Sequence, residues 1–227
     1  MGTDDLFKKR KEARKQRQHE IRTPKANSYL IVTEGKRTEP YYFSGLKKLI
    51  VEKIGGMVNV VEIPSIDIHG EGSSTGKLIE ITEQLVKEAK ILYQNIWVVF
   101  DKDDFEDFDQ AIQEGRNKEY HVAWSNQSFE YWLFLHFDYS DSALHRDVWN
   151  DKLDEIFREH GLGNGSYQKN YEDIYNIVNR NDGVNTAIKN AKRRMADFDS
   201  DRDKPSEFDP GTTVYQLVEE LKSYLDE

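Results

Sequence analysis

The chain contains no cysteine. That excludes disulfide bridges and any zinc site built on thiolates, and it suits a reducing compartment. Long apolar runs are missing as well. No stretch reaches the roughly 18 apolar residues that a membrane span needs, and the N-terminus lacks the apolar core of a signal peptide. A cytoplasmic protein with no membrane partner is the expectation. A nucleotide-binding P-loop is also absent. Around Gly76-Lys77 position 71 is Glu rather than Gly, and position 78 is Leu rather than Ser or Thr, so the chain is not expected to hydrolyse nucleoside triphosphates alone. The histidines form no His-Glu-x-x-His pair and no catalytic-triad order.

Charge is abundant but unevenly spread. Residues 1–25 hold nine basic and four acidic residues, a net of +5, which leaves 23 basic against 38 acidic residues, a net of −15, on the remainder. An acidic body with a basic arm is not the footprint of a protein that coats duplexes. The arm, residues 1–26, suits contact with phosphates or an acidic partner, or stands as a solvated, basic N-terminal helix.

Residues 27–125 alternate strand and helix patterns. Tyr29-Leu30-Ile31-Val32 is a short apolar, β-branched run, closed by Gly35, and helical spacing follows from Tyr42 to Val51. Val58–Ile68 is a second strand, with Ser73 or Ser74 available to cap a helix over Lys77–Tyr93. Ile96–Phe100 is a third strand with no polar residue, as expected where both faces of a parallel sheet are covered. A short helix over Phe105–Glu114 and a strand over Tyr120–Trp124 complete an α/β domain. Residues 126–227 read as a C-terminal helical part packed on the sheet, with helices near Ser128–Phe137, Trp149–His160, Tyr171–Arg180, Val184–Phe198 and Thr213–Leu225. Pro210-Gly211-Thr212-Thr213 reads as a turn and cap for the last helix.

In open α/β sheets ligands sit beyond the C-terminal ends of the strands. Glu34 follows the first strand, and Asp101 and Asp103 follow the third. The 67 residues between Glu34 and Asp101 leave room for two crossovers, and right-handed connections then allow the strand order 2-1-3-4, with Glu34 facing Asp101. Three converging carboxylates repel, and Mg²⁺ or Mn²⁺ offsets that repulsion while keeping waters for a substrate phosphate. Asp101 and Asp103 are read as metal ligands and Glu34 as a ligand or general acid/base. Lys36, Arg37 and Lys102 flank them as candidate phosphate contacts. The competing reading makes these acids turn and cap residues, with Asp103 or Asp104 capping the Phe105 helix. Glu39 reads as a first-turn acid that complements the helix dipole.

Val32-Thr33-Glu34-Gly35 together with Val99-Phe100-Asp101-Lys102-Asp103 resembles a Toprim domain, the metal-binding α/β module of topoisomerases, primases and overcoming-lysogenization-defect nucleases. More of the chain resembles the RloB family, through Glu34–Phe43, Asp101–Asp104, Ser125–Phe137 and Pro210–Val214. The resemblance implies a Toprim-like sheet and a metal-dependent nuclease in bacterial phage defence and abortive infection. It implies RNA (tRNA included) or DNA as substrate and an RloA-type ATPase as partner, and it leaves room for a homo-oligomer. It also makes Glu130 a further catalytic residue, with Asn126 and Ser128 as phosphate contacts or helix caps. Tyr167, Lys169, Lys192 and Arg193 become candidate nucleic-acid contacts, and His136 a structural or substrate-side histidine. The main rival is a non-catalytic regulatory or binding subunit of an ATPase complex. A phosphatase or nucleotidyl transferase using the same acids is a third reading.

Overall fold

The computed structural model describes residues 23–24, 27–55, 65–72, 75–103 and 106–226. The expected basic arm therefore falls outside the described residues except at Thr23–Pro24, as do Val58–Pro64, Ser73, Ser74, Asp104 and Phe105.

Five strands form one sheet: β1 (Ser28–Thr33), β2 (Ser65–Gly70), β3 (Asn95–Asp101), β4 (His121–Asn126) and β5 (Gly211–Thr212). Their order is β2-β1-β3-β4-β5. The first four are parallel, in the order 2-1-3-4 that the sequence allows, and β5 joins β4 antiparallel, Ser125 opposite Thr212. Among the described residues there are eight α-helices. α2 (Thr75–Glu88) and α3 (Phe108–Asn117) cover one face of the sheet. The other face is covered by α1 (Thr38–Gly55), α4 (Phe129–Phe134), α5 (Arg146–Glu159), α6 (Ile174–Val178), α7 (Gly183–Met195) and α8 (Val214–Asp226).

The strand side chains divide as a period of two requires. Tyr29, Ile31, Trp97, Val99 and Ala123 enter the large core with α1 and the C-terminal helices. Leu30, Val32, Val98, Phe100, Val122 and Trp124 enter the smaller core under α2 and α3. Burial on both faces is why β1 and β3 carry no alternating polar positions. α1 presents Tyr42, Phe43, Leu46, Ile50 and Ile54 to the large core, all buried, and each such side chain contributes roughly 1.5–3 kcal/mol.

β5 was not foreseen. The Gly211-Thr212 pair was expected as part of a turn, and instead it extends the sheet. Thr213 then closes the edge. Its N–H donates to the Trp124 carbonyl (2.8 Å) and its Oγ1 accepts from the Trp124 N–H (2.9 Å). A run of two residues is too short to carry a period. The helix expected over Tyr171–Arg180 is also shorter, because Asn181 and Asp182 both take positive φ and break it before α7.

His136 is structural. Its ring is buried between Tyr42, whose hydroxyl lies 3.0 Å from Nε2, and the Trp132 carbonyl, 3.0 Å from Nδ1. Burial pushes its pKa down to about 4. Below pH 6.5 the unfolded chain takes up a proton that the folded chain refuses, so stability falls as pH drops and levels off near 4. The loss is at most about 3 kcal/mol. Urea denaturation at pH 7 and pH 4.5 should show it, and a His136→Gln variant should lose that part of the pH dependence. An unchanged slope in the variant would place its origin elsewhere.

Candidate active site

β1 and β3 lie side by side, so their C-terminal ends deliver Glu34 and Asp101 to one place. The Glu34 N–H continues the ladder to the Val99 carbonyl (2.9 Å), while its Oε2 accepts from the Asp101 N–H (3.2 Å). Asp101 Oδ2 in turn accepts from the Phe129 N–H (2.8 Å), at the start of α4. That bond ties the end of β3 to the aromatic helix and sets Glu130 beside the same opening.

A cleft of about 430 Å³ opens here, lined among others by Glu34, Glu39, Asp101, Asp103 and Glu130. Lys36, Arg37, Arg146 and Lys169 line it as well. Of the residues expected from sequence, Glu34, Asp101, Asp103, Glu130, Lys36, Arg37, Ser128 and Lys169 are thus brought together, and Lys102 and Asn126 do not line the cleft. Asn126 is fully buried, and its side-chain amide donates to the carbonyls of Pro205 and Ser206 (2.9 and 3.0 Å), holding that turn to the sheet. Lys102 instead shares its electrostatic surroundings with Asp209. Lys192 pairs with Glu219 (2.5 Å) and Arg193 stacks over Tyr139, so neither contributes to the cleft. Ser128 was expected as a phosphate contact or a cap. It stands at the cap position of α4 but makes no side-chain cap bond, and its buried hydroxyl has no partner.

Two cleft residues, Glu39 and Arg146, have no functional role in the sequence reading. Glu39 does sit in the first turn of α1, yet it is only 7% exposed and reaches the cleft. Arg146, at the first position of α5, donates to Asp103 Oδ1 (2.7 Å). Asp103 turns toward it with a left-handed φ of 41°. Tyr167 donates its hydroxyl to Glu130 Oε1 (3.0 Å), and Lys169 Nζ lies 3.0 Å from the same oxygen. An aspartate at the cap of the Phe105 helix was another expectation. The helix begins at Phe108 after Asp107, with no side-chain cap bond.

The electrostatics separate these acids. Burial pushes the Glu34 carboxyl up to about 8, helped by the charges of Asp103, Glu39 and Asp107. Burial likewise lifts Glu39 to about 7, with Glu130 adding to it and the N–H groups of Glu39 and Gly35 opposing. Asp101 is pushed well above the usual carboxylate range, by burial first and then by Glu39 and Glu130. Asp103 and Glu130 instead have ion-pair partners, Arg146 and Lys169.

An all-oxygen donor set with raised carboxyl pKa values suits a hard divalent cation. Among the described residues no group of three or more acidic or histidine side chains is gathered at ligand spacing. Mg²⁺ often takes only one or two carboxylates and completes its shell with water and phosphate, so the donors fit such an ion without a preformed cage.

A family model described as RloB-like protein matches residues 29–221, from inside β1 to inside α8. Every residue that lines the cleft lies within that span. No curated protein and no solved structure matches the chain. Among the described residues no helix is long and apolar enough to cross a membrane.

Proposed function

Because the chain belongs to the RloB-like protein family, we propose that the cleft is the active site of a metal-dependent endonuclease, hydrolysing phosphodiester bonds of RNA or DNA with Mg²⁺ or Mn²⁺. The observation that carries this reading is the delivery of Glu34 and Asp101 by adjacent parallel strands into one cleft with Glu39, Asp103 and Glu130. Asp101 and Asp103 would hold the cation, Asp103 steadied through Oδ1 by Arg146. When bound, the ion supplies a positive charge that polarises a phosphoryl oxygen and lowers the pKa of a bound water.

The other steps fall to the chain itself. Lys36 and Arg37, both exposed at the mouth, take phosphate oxygens and position the strand. The Ser128 hydroxyl, buried and without a partner, is available to donate to a further phosphate oxygen. Glu34, with its carboxyl near 8, keeps a proton at neutral pH in the cation-free cleft and is the group placed to move one. Tyr167 and Lys169 fix the orientation of Glu130.

The cellular role that goes with this chemistry is bacterial phage defence in the cytoplasm beside an RloA-type ATPase. The test incubates the protein with Mg²⁺ or Mn²⁺ and total RNA, tRNA, plasmid and single-stranded DNA, with and without that ATPase. Metal-dependent cleavage is expected, and its absence from every combination would end the proposal. The rival reading, a regulatory subunit of an ATPase complex, draws on the ion pairs that already engage Asp103 and Glu130. It predicts tight ATPase binding with no cleavage, and a phenotype unchanged in Asp101→Ala/Asp103→Ala.

A further inference from the structure

Helix α7 departs from the charge of the body that carries it. Residues beyond the first 25 have a net charge of −15, yet α7 holds Lys189, Lys192, Arg193 and Arg194 and no acid. Among the described residues it is the only α-helix with basic residues and no acidic one. Part of this is structural. Cations in a last turn favour the helix dipole. Arg194 is engaged inside, its Nε donating to the Pro210 carbonyl (2.8 Å) and its guanidinium lying over Phe208. Neither reason covers Lys189, which precedes the last turn, or Arg180, which precedes the helix. Both are exposed, and neither forms an ion pair among the described residues.

These cations run out from a recess. Thr186, Lys189 and Arg193 fall at i, i+3 and i+7 and share one face of α7. The Arg193 guanidinium lies 3.9 Å from the centre of the Tyr139 ring, which fixes its plane. At the Thr186 end a recess of about 360 Å³ opens. Exposed Arg180, Asn181 and His160 form its rim, and the better buried Phe137 and Leu162 form its floor. A nucleobase has matching needs, because its faces are apolar, its edge is polar, and phosphates flank it. The recess shares no lining residue with the catalytic cleft. The two are joined through α4. Its first N–H meets Asp101, and the Leu135 carbonyl at its other end accepts from Asn190 of α7 (3.0 Å).

We infer that the recess and the α7 stripe form a second contact surface for single-stranded nucleic acid: the recess takes one unstacked base, and Arg180, Lys189 and Arg193 take the neighbouring phosphates. From Thr186 to Arg193 the stripe is about 10 Å long, roughly three nucleotide steps of 3.4 Å. It gives an acidic body a place to hold a polyanion, and it leaves the chemistry to the cleft. The inference rests on the nuclease reading for the identity of the polymer.

The test is fluorescence anisotropy without divalent cation, so that nothing is cut. The probes are labelled single-stranded RNA and single-stranded DNA longer than the roughly 4–16 nucleotides that single-strand sites occupy. Arg180→Gln/Lys189→Gln/Arg193→Gln should weaken binding by about tenfold or more at low salt. It should also flatten the salt dependence by about 2, three phosphate contacts at about 0.7 each. Thr186→Phe fills the recess without changing charge and should cost at least about fivefold, the lower end of a base-stacking contribution. Lys48→Gln/Lys90→Gln/Arg116→Gln removes three exposed cations elsewhere and should bind as the wild type does. Unchanged binding in the first triple variant or in Thr186→Phe would overturn the inference, as would an equal loss in the control. Loss of the RloA-type ATPase alone in the first triple variant would make the surface a protein interface and overturn it as well. Metal-dependent cleavage at saturating polymer should be unchanged in that variant, so the nuclease reading is judged separately.

Discussion

Replacing Asp101 with Ala is expected to slow metal-dependent cleavage by about 10²–10⁴-fold, the range for loss of a positioned catalytic group, while leaving the protein folded. The argument for both halves lies in the position of the carboxyl. Asp101 ends β3 and sits against Glu34, whose Oε2 accepts from the Asp101 N–H, a backbone bond that survives the substitution. What is lost is one acceptor for the Phe129 N–H, a change of about 1 kcal/mol. What is gained is relief, because burial and the charges of Glu39 and Glu130 all oppose ionisation of this group. The native state thus holds the anion at a cost, as functional sites commonly do. Thermal melting of the cation-free variant should show no lower midpoint at pH 8 than the wild type. Asp101→Asn, which can still accept from Phe129, should be equally inactive. Cleavage at the wild-type rate in either variant would exclude this carboxylate from the chemistry.

Much of this arrangement was legible in the sequence, for a physical reason. Strands buried on both faces leave uninterrupted apolar runs, and Tyr29–Val32 and Ile96–Phe100 are such runs. Right-handed crossovers then restrict their order, and that restriction places Glu34 opposite Asp101. Side-chain direction at the ends of those strands was not legible. Asp103 is two residues past Asp101, yet a left-handed φ turns it toward Arg146, 43 residues later. Asn126 ends β4 at the level of the cleft but faces the turn at Pro205–Ser206. The partners of Glu130 come from a segment fixed by Thr38, 131 residues before Lys169. Such contacts depend on where distant elements dock, and no periodicity encodes that.

Glu39 is the sharpest case, and Gly35→Ala tests it. The first-turn reading of Glu39 is correct as far as it goes, because acids there favour the helix dipole. The same turn also folds the carboxylate back over Gly35. A Cβ added at Gly35 would lie 2.1 Å from Glu39 Oε2 and 2.5 Å from its Cδ. Gly35 is not among the positive-φ residues, so the glycine is required by close approach and not by backbone conformation. Glu39 is buried and held by the Gly35 and Glu39 N–H groups, so it has little room to withdraw. Overpacking of this kind costs about 1–3 kcal/mol, and displacing a cleft carboxylate by about 1 Å is expected to cost about 10²-fold in cleavage rate. The two effects separate in a double-mutant cycle. Glu39→Ala removes the obstructing atoms, so Gly35→Ala/Glu39→Ala should recover the stability lost by Gly35→Ala alone, a coupling well outside simple additivity. Its activity should stay low, because the carboxylate that borders Asp101 is gone. If the two substitutions prove additive in urea denaturation, the Glu-Gly step of this chain owes its glycine to something other than Glu39.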